Sequence, residues 1–317
     1  MKKSYVRYSS LVDYNKIFNS YKNVVKNTEH KDKLFIYNLF LSSNLMGIYD
    51  ELKHFTYHHG KYNIFLIKDP KYRVIMSENL KDKIVNQMVS EYILKPVLEP
   101  RLIDSNVATR KDKGSKQAFY LCKRYINKLK RKQKEIYVLK FDIKKYFYNI
   151  DHDILLSKLE KIFVDKNLVA LLKDIIYSSN MSYVNNEIDH VIDRELKKDL
   201  SIIQKSELLE VPRYHYHKGL AIGNVTSQIL AIFYLNRIDH FIKENLGCKY
   251  YIRYMDDGII FDYNKERLKY VKDQIEKELA KERLTLNKKT NIYKLSSGFT
   301  FIGYRFSKEQ YAYYSNK

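Results

Sequence analysis

The sequence predicts an α+β fold, and three observations carry that prediction. The apolar runs Tyr250-Tyr251-Ile252 and Ile259-Ile260-Phe261 flank Tyr254-Met255-Asp256-Asp257 like the two strands of a hairpin. A further apolar, β-rich run, Val138-Leu139-Lys140-Phe141, delivers Asp142 at its end and passes into a helical pattern. Longer segments before and between these runs repeat apolar residues at helical spacing.

In chain order, residues 11–60 read as mostly helical, with Leu34, Tyr37 and Leu41 at i, i+3 and i+7 and Leu45 extending the stripe. Residues 62–76 read as a hairpin turning near Asp69-Pro70, because proline presets a turn dihedral and cannot continue a central ladder. From Glu78 to Glu99 the pattern is helical, with Ile84, Met88 and Tyr92 on one face. Lys123 to Lys134 form a basic helical segment in which Tyr125 and Leu129 can pack while the cations fan outward. Residues 150–180 are helical, with Leu155, Leu159 and Ile162 inward. Residues 181–216, carrying Glu187, Asp189, Asp193 and Glu195 without a glycine-bearing calcium loop, read as a solvated insertion. Four prolines and nine glycines leave no flexible linker, so one continuous core is expected.

Charge narrows the partners. Fifty-eight Lys and Arg against 37 Asp and Glu give a net charge of +21, which favours phosphate backbones or anionic membranes and predicts salt-sensitive binding. The two cysteines, Cys122 and Cys248, have no zinc-type spacing, and His58-His59 and His215 with His217 read as loop or surface residues. No apolar run approaches the roughly 20 residues of a membrane span, and Met1-Lys2-Lys3-Ser4-Tyr5 leads into no signal core. A soluble, cytoplasmic protein is expected.

The carboxylates point to chemistry. Two consecutive Asp inside a strand would face opposite ways, whereas at a turn both can reach one site. Hard cations such as Mg²⁺ take oxygen ligands, and an ion pair about 3.5 to 4 Å apart stabilises both attacking and leaving oxygens in phosphoryl transfer. Asp142 is the natural third carboxylate.

Tyr254 to Asp257 in its apolar frame, with Phe141-Asp142-Ile143-Lys144, closely resembles the palm motifs of the reverse transcriptases. Further blocks are similar in order: Asp69 to Ile75 with Lys81 to Val85, Asn106 to Lys111 with Lys113 to Ser115, Gly219 to Gln228, Leu286 to Thr290, and Gly298 to Tyr304. The resemblance implies a right-hand polymerase fold with fingers and palm, an antiparallel palm sheet packed on helices, and an absent or rudimentary thumb. It divides the chain into an N-terminal helical extension (1–61), fingers (62–137), a palm (138–306) with the 181–216 insertion, and a short tail (307–317). Ile222 to Gln228, where many members carry Pro-Gln-Gly, is similar to the form in diversity-generating retroelements. Defence-associated, retron and abortive-infection enzymes share most other motifs.

By that resemblance the chain is an RNA-directed DNA polymerase. Asp142, Asp256, Asp257 and the Ile143 carbonyl would hold two Mg²⁺ ions, with Mn²⁺ as a substitute. Lys289, or its neighbour Lys288, would protonate the leaving pyrophosphate. Arg110 would clamp the incoming dNTP, supported by Lys71 and Arg73 and more weakly by Lys111. Phe147 would be the steric gate against the ribose 2′-hydroxyl, with Tyr146 or Tyr148 as alternatives, and Gly223 and Gln228 would cradle the nascent base pair. Template RNA and RNA/DNA duplex are the implied partners. An accessory protein, a structured RNA or a second protomer is expected to replace the thumb. Three functions follow: cDNA synthesis in a diversity-generating retroelement, an antiphage defence enzyme that is self- or protein-primed, and an inactive RNA-binding scaffold.

Overall fold

The computed structural model describes residues 2–28, 31–308 and 311–313. The chain packs as two compact units, one built from Met1–Leu98 and Ile150–Leu230, the other from Glu99–Asn149 and Ala231–Lys317. This division cuts through the segments 62–137 and 138–306, since residues 62–98 and 150–230 group with residues 1–61.

In the first unit, helices Tyr14–Lys26, Lys31–Leu39 and Leu41–Lys53 occupy most of the stretch expected to be helical, of which residues 29 and 30 lie outside the described residues. Asp13 starts the first by accepting from the backbone N–H of Asn15 and Lys16, the usual service of an N-cap carboxylate. Strands β1 (Asn63–Lys68) and β2 (Tyr72–Ser77) pair antiparallel around Asp69-Pro70-Lys71, as the proline predicts. The following helix is capped by Asn79, runs over Leu80–Val89, and widens into a π turn at Ser90–Leu94. Pro96 explains the interruption, since its missing N–H and its ring cannot accommodate a regular turn behind it. The helical stretch over 150–180 is two helices, His152–Glu160 and Lys166–Tyr177, each begun by an aspartate cap at Asp151 and Asp165. Leu155, Leu159 and Ile162 are fully buried.

Residues 181–216 carry two helices. Helix Tyr183–Leu196 packs against β1 through Val184, Ile188 and Ile192, and a Ser201–Gln204 capping box opens helix Ile202–Leu209. One helix of the segment thus covers the hairpin along an i, i+4, i+8 apolar stripe, while most of the segment's residues stay exposed or half-buried.

The second unit is built on a four-stranded antiparallel sheet, ordered β4 (Tyr251–Tyr254), β5 (Asp257–Asp262), β3 (Tyr137–Phe141), β6 (Asn291–Lys294). Helix Lys265–Lys281 packs on β3, β5 and β6, and helix Ser115–Lys130 packs on β4. The latter is the basic segment, which ends at Lys130 rather than Lys134; it buries Ile126 and Leu129 and leaves Lys123, Arg124 and Lys128 exposed. Its buried face joins Ile252, Ile259 and Phe261 of the sheet with Phe299, Phe301 and Phe306 in one core. Those three phenylalanines come from a second antiparallel sheet, β7 (Phe299–Phe301), β8 (Tyr304–Phe306) and β9 (Tyr311–Tyr313). Within the expected tail, residues 309–310 and 314–317 lie outside the described residues.

Cys122 and Cys248 are free and buried. Among the described residues, no helix is long and apolar enough to cross a membrane.

Candidate active site

The turn that opens this site is the tightest a hairpin allows. Tyr254 pairs with Asp257, so only Met255 and Asp256 lie between the strands. Met255 takes φ 54°, the left-handed region that a two-residue hairpin turn demands at its first position. A side chain there costs about 1 kcal/mol or more, so the surroundings must hold it. Arg253 does so: its Nη1 donates to the Met255 carbonyl at 2.7 Å. The rest of that guanidinium is fixed by Asp239, which accepts from Nε and Nη2 at 2.7 Å each, and by the Ile232 carbonyl at 2.6 Å. Tyr251 Oη adds a 2.8 Å bond to the same carboxylate. Arg253 and Asp239 are both essentially without exposure, a bidentate ion pair buried directly beneath the turn.

Asp142 comes from the other side of the same sheet strand pair. Phe141 pairs with Gly258 in register, and a Cβ built at Gly258 would lie 2.1 Å from the Phe141 ring. The glycine is required because the ring fills its space. Gly258→Ala is expected to cost about 2–3 kcal/mol by overpacking and to displace Asp142, read as a lowered melting temperature together with lost activity. Beyond Phe141, Asp142 is gripped by Asn287: the Asn287 N–H donates to the Asp142 carbonyl at 2.7 Å and Nδ2 donates to the carboxylate at 2.8 Å. Thr290 Oγ1 accepts from the Asp142 N–H at 3.4 Å. Ile143 follows, buried and bridged to Leu286.

The electrostatics mark a site short of positive charge. Burial, then the charges of Asp257 and Asp142, push the Asp256 carboxyl up to about 7. Burial and the Asp142 charge raise Asp257 to about 6, against the partial relief of Lys140. Three half-buried carboxylates on one sheet, with oxygen donors only, suit a hard divalent cation. Among the described residues no three acidic, His or Cys groups are already placed to hold a metal ion together, and one Asp142 carboxylate oxygen is taken by Asn287.

The other predicted residues fall differently. Phe147 is half-buried, whereas Tyr146 and Tyr148 are buried and Tyr146 Oη is bonded to the Ala231 carbonyl, so Phe147 alone of the three offers its ring. Arg110 is occupied: Nη1 donates to the Ile103 and Asn106 carbonyls at 3.0 Å each. Those bonds hold its own loop, and a phosphate would have to displace them; its neighbour Lys111 is exposed. Lys289 is exposed on a turn in which its N–H donates to Asn287 Oδ1 at 3.2 Å, and Lys288 is exposed beside it. Lys71, Arg73, Gly223 and Gln228 belong to the first unit. Lys71 and Arg73 are exposed on the β1–β2 hairpin, Gly223 sits at φ 127°, and Gln228 lies in the first turn of helix Val225–Tyr234. Arg253, Asp239, Asn287 and Gly258 escaped the sequence reading. An arginine inside the apolar run Tyr250 to Tyr254 was the available signal.

Comparison with known proteins agrees with this geometry. Residues 66–306 match the family described as reverse transcriptase (RNA-dependent DNA polymerase). No curated protein sequence matches the chain. Among solved structures, telomerase from Candida albicans in complex with a TWJ fragment of telomeric RNA aligns at a TM-score of 0.51 and 16% identity, covering 82% of this chain and 46% of that one. Apo telomerase from Candida tropicalis, truncated from its C-terminal domain, aligns at 0.50 and 18% identity, covering 80% and 55%. At such identities the likeness speaks for the α+β polymerase fold, and this chain spans about half the length of the structures it matches. Because the matched segment contains all three carboxylates and the turn that presents them, the chain belongs to the reverse transcriptase family, the RNA-dependent DNA polymerases.

Proposed function

We propose that the chain copies an RNA template into cDNA by two-metal nucleotidyl transfer, in the cytoplasm and as part of a diversity-generating retroelement. The observation that carries the reading is the meeting of strand-end Asp142 with Asp256 and Asp257 of the adjoining turn, where burial and mutual charge raise the two turn carboxyls. Mg²⁺, or Mn²⁺ in its place, would supply charge neutralisation and an acidified primer 3′-hydroxyl when held by these carboxylates and the Ile143 carbonyl. The chain's own groups do the remaining work. Asn287 and Thr290 orient Asp142, and Arg253 orients the turn. Phe147 offers its ring to clash with a ribose 2′-hydroxyl. Lys289, in solvent reach, brings a proton to the leaving pyrophosphate. Lys71, Arg73 and Arg110 serve the triphosphate, and Gly223 and Gln228 the nascent base pair. The product duplex is held by an accessory protein, a structured RNA or a second protomer.

Phe147→Val is expected to lower discrimination against ribonucleotides by about 10- to 200-fold, the range a shape-only pocket commands. Single-nucleotide incorporation with dNTP and rNTP measures it, and an unchanged ratio would move the gate to Tyr146 or Tyr148.

The retroelement branch rests on Ile222 to Gln228, and its test is the sequence of the cDNA made on the RNA that co-purifies with the chain. Errors concentrated opposite adenine support it. Homopolymer, repeat or untemplated products favour a second reading, an antiphage defence enzyme that is self- or protein-primed. The observation behind that alternative is that the side chains of Tyr5, Tyr120, Tyr216 and Tyr270 are each more than half exposed, leaving hydroxyls for priming.

A further inference from the structure

The segment Ile222 to Gln228 rests on a bed of buried polar groups. Its Ile222 carbonyl accepts from the Met76 N–H at 2.8 Å, which lays the segment along β2. At Gly223 a Cβ would lie 3.1 Å from the Met76 carbonyl oxygen, so the two backbones touch. Two side chains then point down. Asn224 Nδ2 donates to Tyr62 Oη at 2.8 Å, and Thr226 Oγ1 donates to Asn86 Oδ1 at 2.7 Å. Asn224, Thr226 and Asn86 are almost wholly buried.

The bed beneath is itself tied together. Asn86 Nδ2 donates to Glu78 Oε1 at 2.5 Å, and Glu78 faces His59 Nε2 at 3.3 Å. His59 Nδ1 meets the Gly60 carbonyl at 2.8 Å, and Asp82 accepts from Tyr57 Oη at 2.8 Å and from the Gly60 N–H at 2.9 Å. Tyr62 Oη also lies 2.6 Å from Ser178 Oγ. All of these residues belong to the first unit.

Buried polar groups are poor sources of net stability, because each must be stripped of water before it bonds. What they provide is direction: an apolar contact tolerates a slip of an ångström, and a buried hydrogen bond does not. The best-attested use of such groups is to fix register.

We propose that Asn86 and Tyr62 are positioning residues which, through Thr226 and Asn224, fix the Gly223–Gln228 segment and thereby set how strictly the polymerase separates matched from mismatched nucleotides. The inference deepens the function proposed above and rests on its reading that this segment cradles the nascent base pair.

The test compares Thr226→Val, which keeps the shape and removes the donor, with Thr226→Ser, which keeps the hydroxyl. Steady-state kcat and KM are measured for matched and mismatched dNTPs on a defined RNA template with a DNA primer, alongside the melting temperature. Thr226→Val is expected to raise KM for the matched dNTP and the mismatch-to-match efficiency ratio by about 5- to 10-fold, the size of one lost buried hydrogen bond, with kcat changed less. Thr226→Ser is expected to stay near wild type. A folded Thr226→Val enzyme with the wild-type ratio overturns the inference, as does an equal loss on both substrates. Should Thr226→Val fail to fold, Tyr62→Phe, which removes the oxygen that Asn224 and Ser178 both bond, decides by the same ratio. A wild-type chain that makes no cDNA at all sinks the underlying reading and this inference with it.

Discussion

Asp256→Asn is expected to lower nucleotide incorporation by at least about a thousandfold while making the metal-free protein more stable at alkaline pH. The loss follows from the carboxylate's place at the tip of the turn, since electrostatic stabilisation at the reacting centre is the largest single contribution such a site makes. The gain follows from the raised carboxyls. Asp256 titrates at about 7 and Asp257 at about 6, both above the ordinary 3.8, so the folded chain holds these protons more tightly than the unfolded chain does. Such groups contribute no penalty at low pH and destabilise the fold as pH rises past the unfolded value and through 6 to 7. The amide cannot ionise, and relief of about 1–2 kcal/mol is expected at pH 8, with none at pH 4. Thermal melts in EDTA at the two pH values measure it. Added Mg²⁺ should then stabilise the wild type and leave the variant nearly unmoved, because the cation and the substitution relieve the same repulsion.

The second large effect belongs to Arg253. Arg253→Met strands the Asp239 carboxylate in the core and is expected to destabilise the protein by about 3–5 kcal/mol. The double variant Arg253→Met with Asp239→Leu removes both charges and should recover most of that stability, since an apolar pair of similar volume packs as well as a buried ion pair. Activity should not return. Without the guanidinium the Met255 carbonyl loses its donor, and the left-handed turn that aims Asp256 and Asp257 loses its support. Urea unfolding of the three proteins separates the two roles: a double variant restored in stability and still inactive is the expected pattern, and restored activity would deny the pair its part in aiming the turn.

The legible part of this molecule was the part written in short segments. A strand ending in Asp142 and a hairpin bearing Asp256 and Asp257 each announce themselves within about ten residues, and the register of β3 against β5 then joins them. Arg253 and Asp239 lie 14 residues apart with nothing in the local pattern to pair them, and only the packing shows that an arginine in an apolar run has a partner. Asn287 was in view two residues before Lys289, yet a short polar side chain in a polar turn carries no signal of what it grips. Arg110 shows what a motif leaves unsaid. Resemblance assigns it to a triphosphate, and the structure adds that its own loop's backbone carbonyls also take its Nη1, a contact no local pattern announces. Residues 181–216 were hidden by composition: four acidic residues drew attention from Val184, Ile188 and Ile192, whose spacing alone would have given the helix. The buried bed under Asn224 and Thr226 was beyond reach, because its members are drawn from residues 57 to 226.

The central claim is that Asp142, Asp256 and Asp257 form one metal-dependent site for DNA synthesis on RNA. Its most direct measurement is labelled dNTP incorporation by the purified chain on an RNA template with a DNA primer, with Mg²⁺ and with EDTA, beside Asp256→Ala. The account predicts template-complementary DNA from the wild type with Mg²⁺ and none in either control. Incorporation that survives EDTA or Asp256→Ala would contradict it.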